Sequence, residues 1–441
     1  MVLCIIVPLV LHDATGGWNN TRNPWWALAT IVVSGAAYAG VIASRERQLF
    51  AMVLWLFTYL FMGLAPYAQY RLDAKLSTIP YIDGDLYPAA GILVLVCSAA
   101  VGIGAFLANR TRTPTRALRP TTVNRRRADV LTMAALGLFA YYGNATGFGS
   151  FLLTRTEQSL AGSVWGDSAT GALLGGAMRM GLLVAFLAQM ALRQQAKAAG
   201  RRPRLLPALV IGAVLLFAVN PIGSARYTFG TVALAMLAAL GAYATMHRFR
   251  AMAALALLGM LFVFPLADVF RHTRDAAIEV EGPVTALTSG DFDAFSQLTN
   301  TFDYVGEQGI TYGGQLLGVL LLWVPRSLWQ AKPEDTGIVL AEHMGYQFTN
   351  LSAPLWAELL INFGIVGAVL GMGYIGYLFR RWDARTELHL RHYPMPPVMV
   401  SAVAFYLLIL LRGSLLAVSA NLLVIIVLAL FVTRKTGLPH R

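Results

Sequence analysis

The sequence predicts an all-α, polytopic membrane protein of about twelve transmembrane helices. Three observations carry that expectation. Of 441 residues, 57% are hydrophobic and only 13% charged, against roughly 25% charged in a soluble globular chain. Several apolar runs reach about 20 residues, the length needed to cross a hydrocarbon core of about 30 Å. Basic residues gather in alternate short loops, the pattern of cytoplasmic loops.

The expected spans lie at 1–11, 25–43, 48–67, 87–107, 130–148, 170–192, 205–219, 228–246, 251–268, 354–378, 395–413 and 418–433. Most are apolar all round, as helices facing lipid and one another are. Trp25 and Trp26 open one span, and Tyr67 and Tyr70 close another, as interfacial anchors. The opening run Met1 to Leu11 lacks a basic flank, so it reads as a first span behind a misplaced start codon rather than a signal peptide. Cys4 and Cys97 both sit in apolar runs and build neither a disulfide framework nor a thiolate metal site. No internal repeat stands out, and 1–441 reads as a single transmembrane domain.

Of the 34 Lys and Arg, 23 fall in the loops at 45–47, 110–127, 193–204, 248–250 and 380–391 and in the tail at 434–441. By the positive-inside rule that side is cytoplasmic and holds both termini, in a cytoplasmic (inner) membrane. The net charge of +12 therefore points to a membrane and not to nucleic acid. The other side carries loops at 12–24, 68–86 and 149–169, a hairpin at 220–227, and a large external loop at 269–353. Eighteen of the 22 acidic residues lie there or at its membrane boundary. A connection of roughly 85 residues is far longer than most, and such loops are functional or disordered. Within it Gly313–Trp323 is apolar but too short to span, which predicts an interfacial or lid helix.

Charges inside or just beyond the spans are the candidate functional groups, because a charge near mid-span costs about 2.5–3.5 kcal/mol and needs a reason. Arg179 stands about 21 Å above Arg193 at 1.5 Å per residue, inside the outer half of the bilayer. Arg412 lies near the outer end of its span. Arg226 is held at the surface by its short hairpin. Arg271, His272 and Arg274 follow a span directly, and Arg326 and Lys332 lie late in the large loop. Guanidinium forks bind phosphate oxygens bidentately, so a set of arginines at one depth suits a lipid-linked diphosphate. Glu358, a few residues inside a span, suits a general base or an arginine partner. His272 and His343 are further possible bases. Asp83-Gly84-Asp85 reads as turn chemistry rather than a metal-binding pair. There is no HExxH, Walker loop or GxSxG, and neither a cofactor nor a metal is expected. Gly102, Gly104, Gly364, Gly367 and Gly371 read as helix-packing contacts.

Four stretches carry a family resemblance. They are the hairpin Ser224-Ala225-Arg226; Val324-Pro325-Arg326-Ser327-Leu328-Trp329 with Lys332-Pro333; the ten-residue gap from Arg326 to Gly337; and Asn362-Phe363-Gly364-Ile365-Val366-Gly367. Together, over roughly 205–380, they resemble the bacterial oligosaccharide repeat-unit polymerases, the Wzy-type O-antigen and capsule polymerases, and the related O-antigen ligases. The resemblance implies an all-helical, GT-C-like membrane glycosyltransferase. It would move a growing glycan from undecaprenyl diphosphate onto a sugar hydroxyl of the next lipid-linked repeat, alongside other polysaccharide-assembly proteins. It implies Arg226, Arg326 and Glu358 as catalytic groups. Arg179, Arg271, His272, Arg274, Lys332 and Arg412 would bind substrate. The ligase-like members carry a histidine just before the last large span; Ser352 and Ala353 stand there instead, which leaves the base unassigned. The alternatives are a glycolipid transporter or flippase, a glycosyltransferase using a monophosphate-linked sugar, and an O-antigen ligase.

Overall fold

The computed structural model describes every residue except 112–120, 154–156, 158–161, 166–167, 264–281 and 436–441. The chain is 76% helical. The sheet among the described residues is one pair of three-residue strands, β1 (Thr121–Val123) and β2 (Thr433–Lys435), antiparallel with Thr122 opposite Arg434.

In chain order the first helices are α1 (Val2–Ala14), α2 (Trp25–Ala43), α3 (Leu49–Leu72), α4 (Gly84–Arg110), α5 (Arg125–Thr146), α6 (Thr170–Ala198), α7 (Leu206–Ala218), α8 (Arg226–Ala239) and α9 (Met246–Leu258). The short helices α10 (Pro283–Leu287), α11 (Ala294–Gln308), α12 (Gly314–Leu320) and α13 (Thr336–His343) come next. Then come α14 (Leu355–Leu390), α15 (Val398–Arg412) and α16 (Leu415–Val432). Each expected span overlaps a helix, but only α2, α3, α4, α6, α14 and α16 are long and apolar enough to cross a membrane by length and composition. Those six make this a membrane protein. Helices of 13 to 15 residues such as α7, α8 and α15 measure about 20–22 Å, short of a hydrocarbon core of about 30 Å. Helix α5 opens with Arg125, Arg126 and Arg127.

The sequence suggests one domain, yet the chain divides into two compact units that interleave along it. Unit one holds Met1–Arg112, Glu281–Ala384 and Leu407–Ser419; unit two holds Thr113–Val280, Arg385–Tyr406 and Ala420–Arg441.

In unit one α3 is buried on all sides, from Leu49 through Ala68 apart from Ala51 and Trp55. A helix apolar around its whole circumference is stable in that position. Both carboxylate oxygens of Asp383, on α14, accept hydrogen bonds from Phe50 and Ala51 N–H at 2.9 and 3.0 Å. They satisfy amides at the start of α3 that have no partner within the helix. Helices α4 and α14 meet at glycines: a Cβ on Gly104 would strike the Gly373 carbonyl, and one on Gly376 the Val101 carbonyl. The packing reading thus holds for Gly104, while Gly102 faces open space.

Residues 282–353, the described part of the expected external loop, fold onto this unit. Residues Ala294 to Thr301 of α11 are all buried. Phe295 stacks on Trp26 at 4.7 Å, and Phe292 on Phe61 at 4.8 Å. Gln69 Nε2 donates to the Leu287 and Phe292 carbonyls at 2.8 and 3.0 Å. The expected short apolar helix is α12, with the largely exposed Trp323 and Leu328 beyond it.

In unit two α5 and α6 are joined by Gln189, whose Nε2 donates to Thr132 Oγ1 at 2.9 Å and Asp129 Oδ1 at 3.2 Å. Asn124 caps α5 and Thr245 caps α9, each side chain accepting from the N–H three residues on.

Candidate functional site

In unit one the resembling motifs turn out to be ways of shaping backbone. At Gly364 α14 breaks, with φ 69° and ψ −172°, a conformation essentially confined to glycine. The break frees the carbonyls of Ile361 and Asn362, which accept from Thr311 and Gly313 N–H at 2.8 and 3.1 Å. Asn362 Oδ1 accepts from Leu316 N–H at 3.0 Å, at the start of α12. Irregular backbone at membrane depth is tolerated only where protein or water satisfies it. Gly367 has no room for a side chain, because a Cβ there would meet Phe363. Gly364 and Gly367 therefore serve the break, not helix–helix packing.

The Pro325 to Pro333 stretch is a loop closed by its own cations. Lys332 Nζ donates to the Leu322 and Val324 carbonyls, both at 2.8 Å, behind the C-terminus of α12. Arg326 donates to the carbonyls of Lys332 at 3.1 Å and Pro333 at 3.4 Å and lies 3.7 Å from the Glu334 carboxylate. Lys332 is thereby committed to the fold. Arg326 stays half exposed, with room for a further acceptor.

Glu358, expected as a base or an arginine's partner, and Arg412 each bind backbone or side chains elsewhere in unit one. Arg412 Nη2 lies 2.8 Å from the buried Asp293 carboxylate, and its Nε donates to the Asp291 carbonyl at 3.1 Å. Asp293 also accepts from Ser352 N–H at 3.1 Å. Glu358 is 2% exposed, and its Oε1 accepts from Leu415 N–H at 2.8 Å, capping α16. Asp335 caps α13 by accepting from Gly337 N–H at 2.8 Å, and burial raises its carboxyl above the usual range. These groups bind the ends of helices to one another, and Glu358, expected as a desolvated base, is buried with one oxygen committed to the α16 cap.

The histidine with base-like geometry is His343. Its Nε2 lies 2.9 Å from Asp303 Oδ2 and 3.9 Å from Glu307, and the Tyr304 ring meets it edge-on at 5.2 Å. A carboxylate hydrogen-bonded to one imidazole nitrogen fixes tautomer and orientation, leaving the other nitrogen to take a proton. A second bond links α11 to the residues just after α13, from Asn300 Nδ2 to Tyr346 Oη at 3.2 Å. Neither Asp303 nor Tyr346 is conspicuous in the sequence. Their only signal is an acid on an amphipathic helix within the external loop. Asp83 Oδ1 accepts from Asp85 N–H at 2.9 Å, the geometry of a turn.

In unit two Arg226 is the first residue of α8. The hairpin before it is organised by Asn220, which sequence reasoning passed over although Asn-Pro favours turn initiation. Asn220 Oδ1 accepts from Ile222 and Gly223 N–H, both at 3.0 Å, and its Nδ2 donates to Phe151 and Phe217 carbonyls. Arg179 lies within α6, and its Nε is buried without a hydrogen-bond partner among the described residues. Next to it in the helix, Gly175 packs on the Tyr142 hydroxyl and Gly176 on the Asn421 amide. Arg271, His272 and Arg274 lie outside the described residues. The expected set of arginines is thus divided, with Arg326 and Arg412 in unit one and Arg179 and Arg226 in unit two. No protein-family model matches this chain, and neither a curated protein nor a solved structure matches it.

Proposed function

We propose that this chain is a glycosyltransferase of the bacterial cytoplasmic membrane that polymerises undecaprenyl-diphosphate-linked oligosaccharide repeat units into a surface polysaccharide. In this reading twelve segments span the bilayer, both termini lie in the cytoplasm, and 269–353 faces outward. The observation that carries it is the His343–Asp303 pair at 2.9 Å, seated in a folded loop rather than in a span. A transporter has no use for an oriented imidazole there, whereas a transferase needs one. The acceptor hydroxyl gives its proton to His343, and its oxygen bonds to the anomeric carbon of the growing glycan. The bond from that carbon to the diphosphate oxygen breaks, and the electron pair leaves with the diphosphate. Arginines stabilise that developing charge, and Arg326 is the candidate in the same unit as His343. Lys332, Arg412 and Glu358 act in this reading by holding the fold.

Purified protein given undecaprenyl-diphosphate repeat units should produce a polymer ladder. His343→Ala should slow it by about 10²- to 10⁴-fold, the range of general-base catalysis, and Asp303→Asn should slow it less. Arg226→Ala and Arg326→Ala should stop it, with Arg→Lys restoring little because the bidentate fork is lost. Excess EDTA should leave the rate unchanged, since guanidinium groups supply the charge. Polymer made at the wild-type rate by His343→Ala would refute the assignment.

A further inference from the structure

Unit one contains a cleft of about 580 Å³ that none of the residues above explains. It lies between the 68–86 loop, Arg22 and the start of α11, and its size falls in the range of small-molecule sites. Three tyrosines line it. The Tyr70 and Tyr87 rings meet edge-on at 5.5 Å, and Tyr87 is fixed in a stack with Trp26 and Phe295, both at 6.0 Å. Tyr81 is 53% exposed at the rim, held by an edge contact with Tyr346 at 5.1 Å. None of the three tyrosine hydroxyls has a hydrogen-bond partner among the described residues, nor has the Ser296 hydroxyl, the Gln69 side-chain oxygen or the Asp85 carboxylate. Arg22 and Asp73 pair at 2.6 Å, so together with Lys75 and Asp85 the charges in the lining cancel.

That set of groups selects the ligand. A phosphate or other anion would find Arg22 already paired with Asp73, and the remaining cation, Lys75, is balanced in the lining by the carboxylate of Asp85. A lipid tail would leave six hydrogen-bonding groups dry. A pyranose offers hydroxyls on its edges to donors and acceptors and C–H faces to aromatic rings, and the cleft supplies both. Through Tyr81, the lining is also tied to the two segments that carry the histidine pair. Tyr346, whose hydroxyl donates to the Tyr81 carbonyl and bonds Asn300, stands three residues after His343, and Asn300 stands three before Asp303. We infer that this cleft binds neutral sugar rings of the acceptor glycan, placing the acceptor beside His343. The choice of acceptor over donor rests on the glycosyl-transfer reading; the binding of sugar does not.

The full-length protein in nanodiscs should be probed on an array of neutral tri- to hexasaccharides. Wild type should bind a subset. Tyr81→Ala should weaken that binding at least tenfold and Asp85→Asn several-fold; both residues are exposed, so folding tolerates their replacement. Trp323→Ala, an exposed residue outside the lining, should bind like wild type. In the polymerisation assay Tyr81→Ala should raise KM for the acceptor more than it lowers kcat. If wild type binds no glycan, or the cleft variants bind as tightly as wild type, the cleft assignment is overturned even where polymer forms. If binding is lost in Tyr81→Ala while wild type makes no polymer, the sugar site stands and the polymerase reading falls.

Discussion

At the scale of single residues, several charged side chains in unit one have an assigned structural duty, and Arg412 with Asp293 is the sharpest case. Asp293 is 1% exposed, so deleting the guanidinium leaves a buried carboxylate without its cation. Breaking a buried pair costs about 3–5 kcal/mol. Arg412→Ala should lower the thermal midpoint sharply, and adding Asp293→Asn should recover part of the loss. A double-mutant cycle without coupling would show that the pair does not hold the fold. Asp335 gives a pH signature. Its folded pKa is raised by burial, so its contribution is full below the ordinary carboxylate value and is lost as pH rises through the raised one. Asp335→Asn keeps an oxygen for the α13 cap. The variant should match wild type near about pH 3 and melt higher than it by about pH 7. A constant difference across that range would exclude the titration.

At the scale of elements, the break in α14 governs where the external segment attaches. Gly364→Ala meets only an ordinary contact with Ile310 Cγ2 at 3.7 Å, so its cost comes from φ and not from space. That conformation costs other residues about 1–3 kcal/mol. The variant should lose about that much stability and expose 309–333 to limited proteolysis, whereas unchanged proteolysis would mean the loop docks independently of the break. The positions of the helices were legible because apolar length is a one-dimensional property: 25–43 is α2, and 170–192 lies wholly within α6. The resembling motifs were legible as positions but not as roles. Lys332 as a clamp on two carbonyls and Gly364 as a break depend on partners that no local pattern encodes. Asp303 escaped notice because its meaning comes from His343, forty residues away.

At the scale of the whole molecule, hydropathy and charge give a testable arrangement across the bilayer. Thr285 is exposed on α10, within the segment expected outside. In intact cells a cysteine at Thr285 should react with an impermeant maleimide, and one at Pro120 should not. The reverse pattern would invert the topology and move the histidine pair to the cytoplasm. Each unit is assembled from three separated stretches of chain, and the middle piece of unit one brings α11, His343 and the α14 break.

The cap on α3 has a consequence for biogenesis. Phe50 and Asp383 are 333 residues apart, yet they share a hydrogen bond. At about 5–20 residues per second of translation, roughly 20–70 s separate the emergence of the helix start from that of its acceptor. Throughout that interval the leading amides of α3 must be satisfied by water, headgroups or an assembly factor. The amino-terminal helices are therefore inserted long before they are locked. Nascent chains arrested before residue 383 should remain open to extraction and quality-control proteolysis, and chains released just beyond it should become resistant.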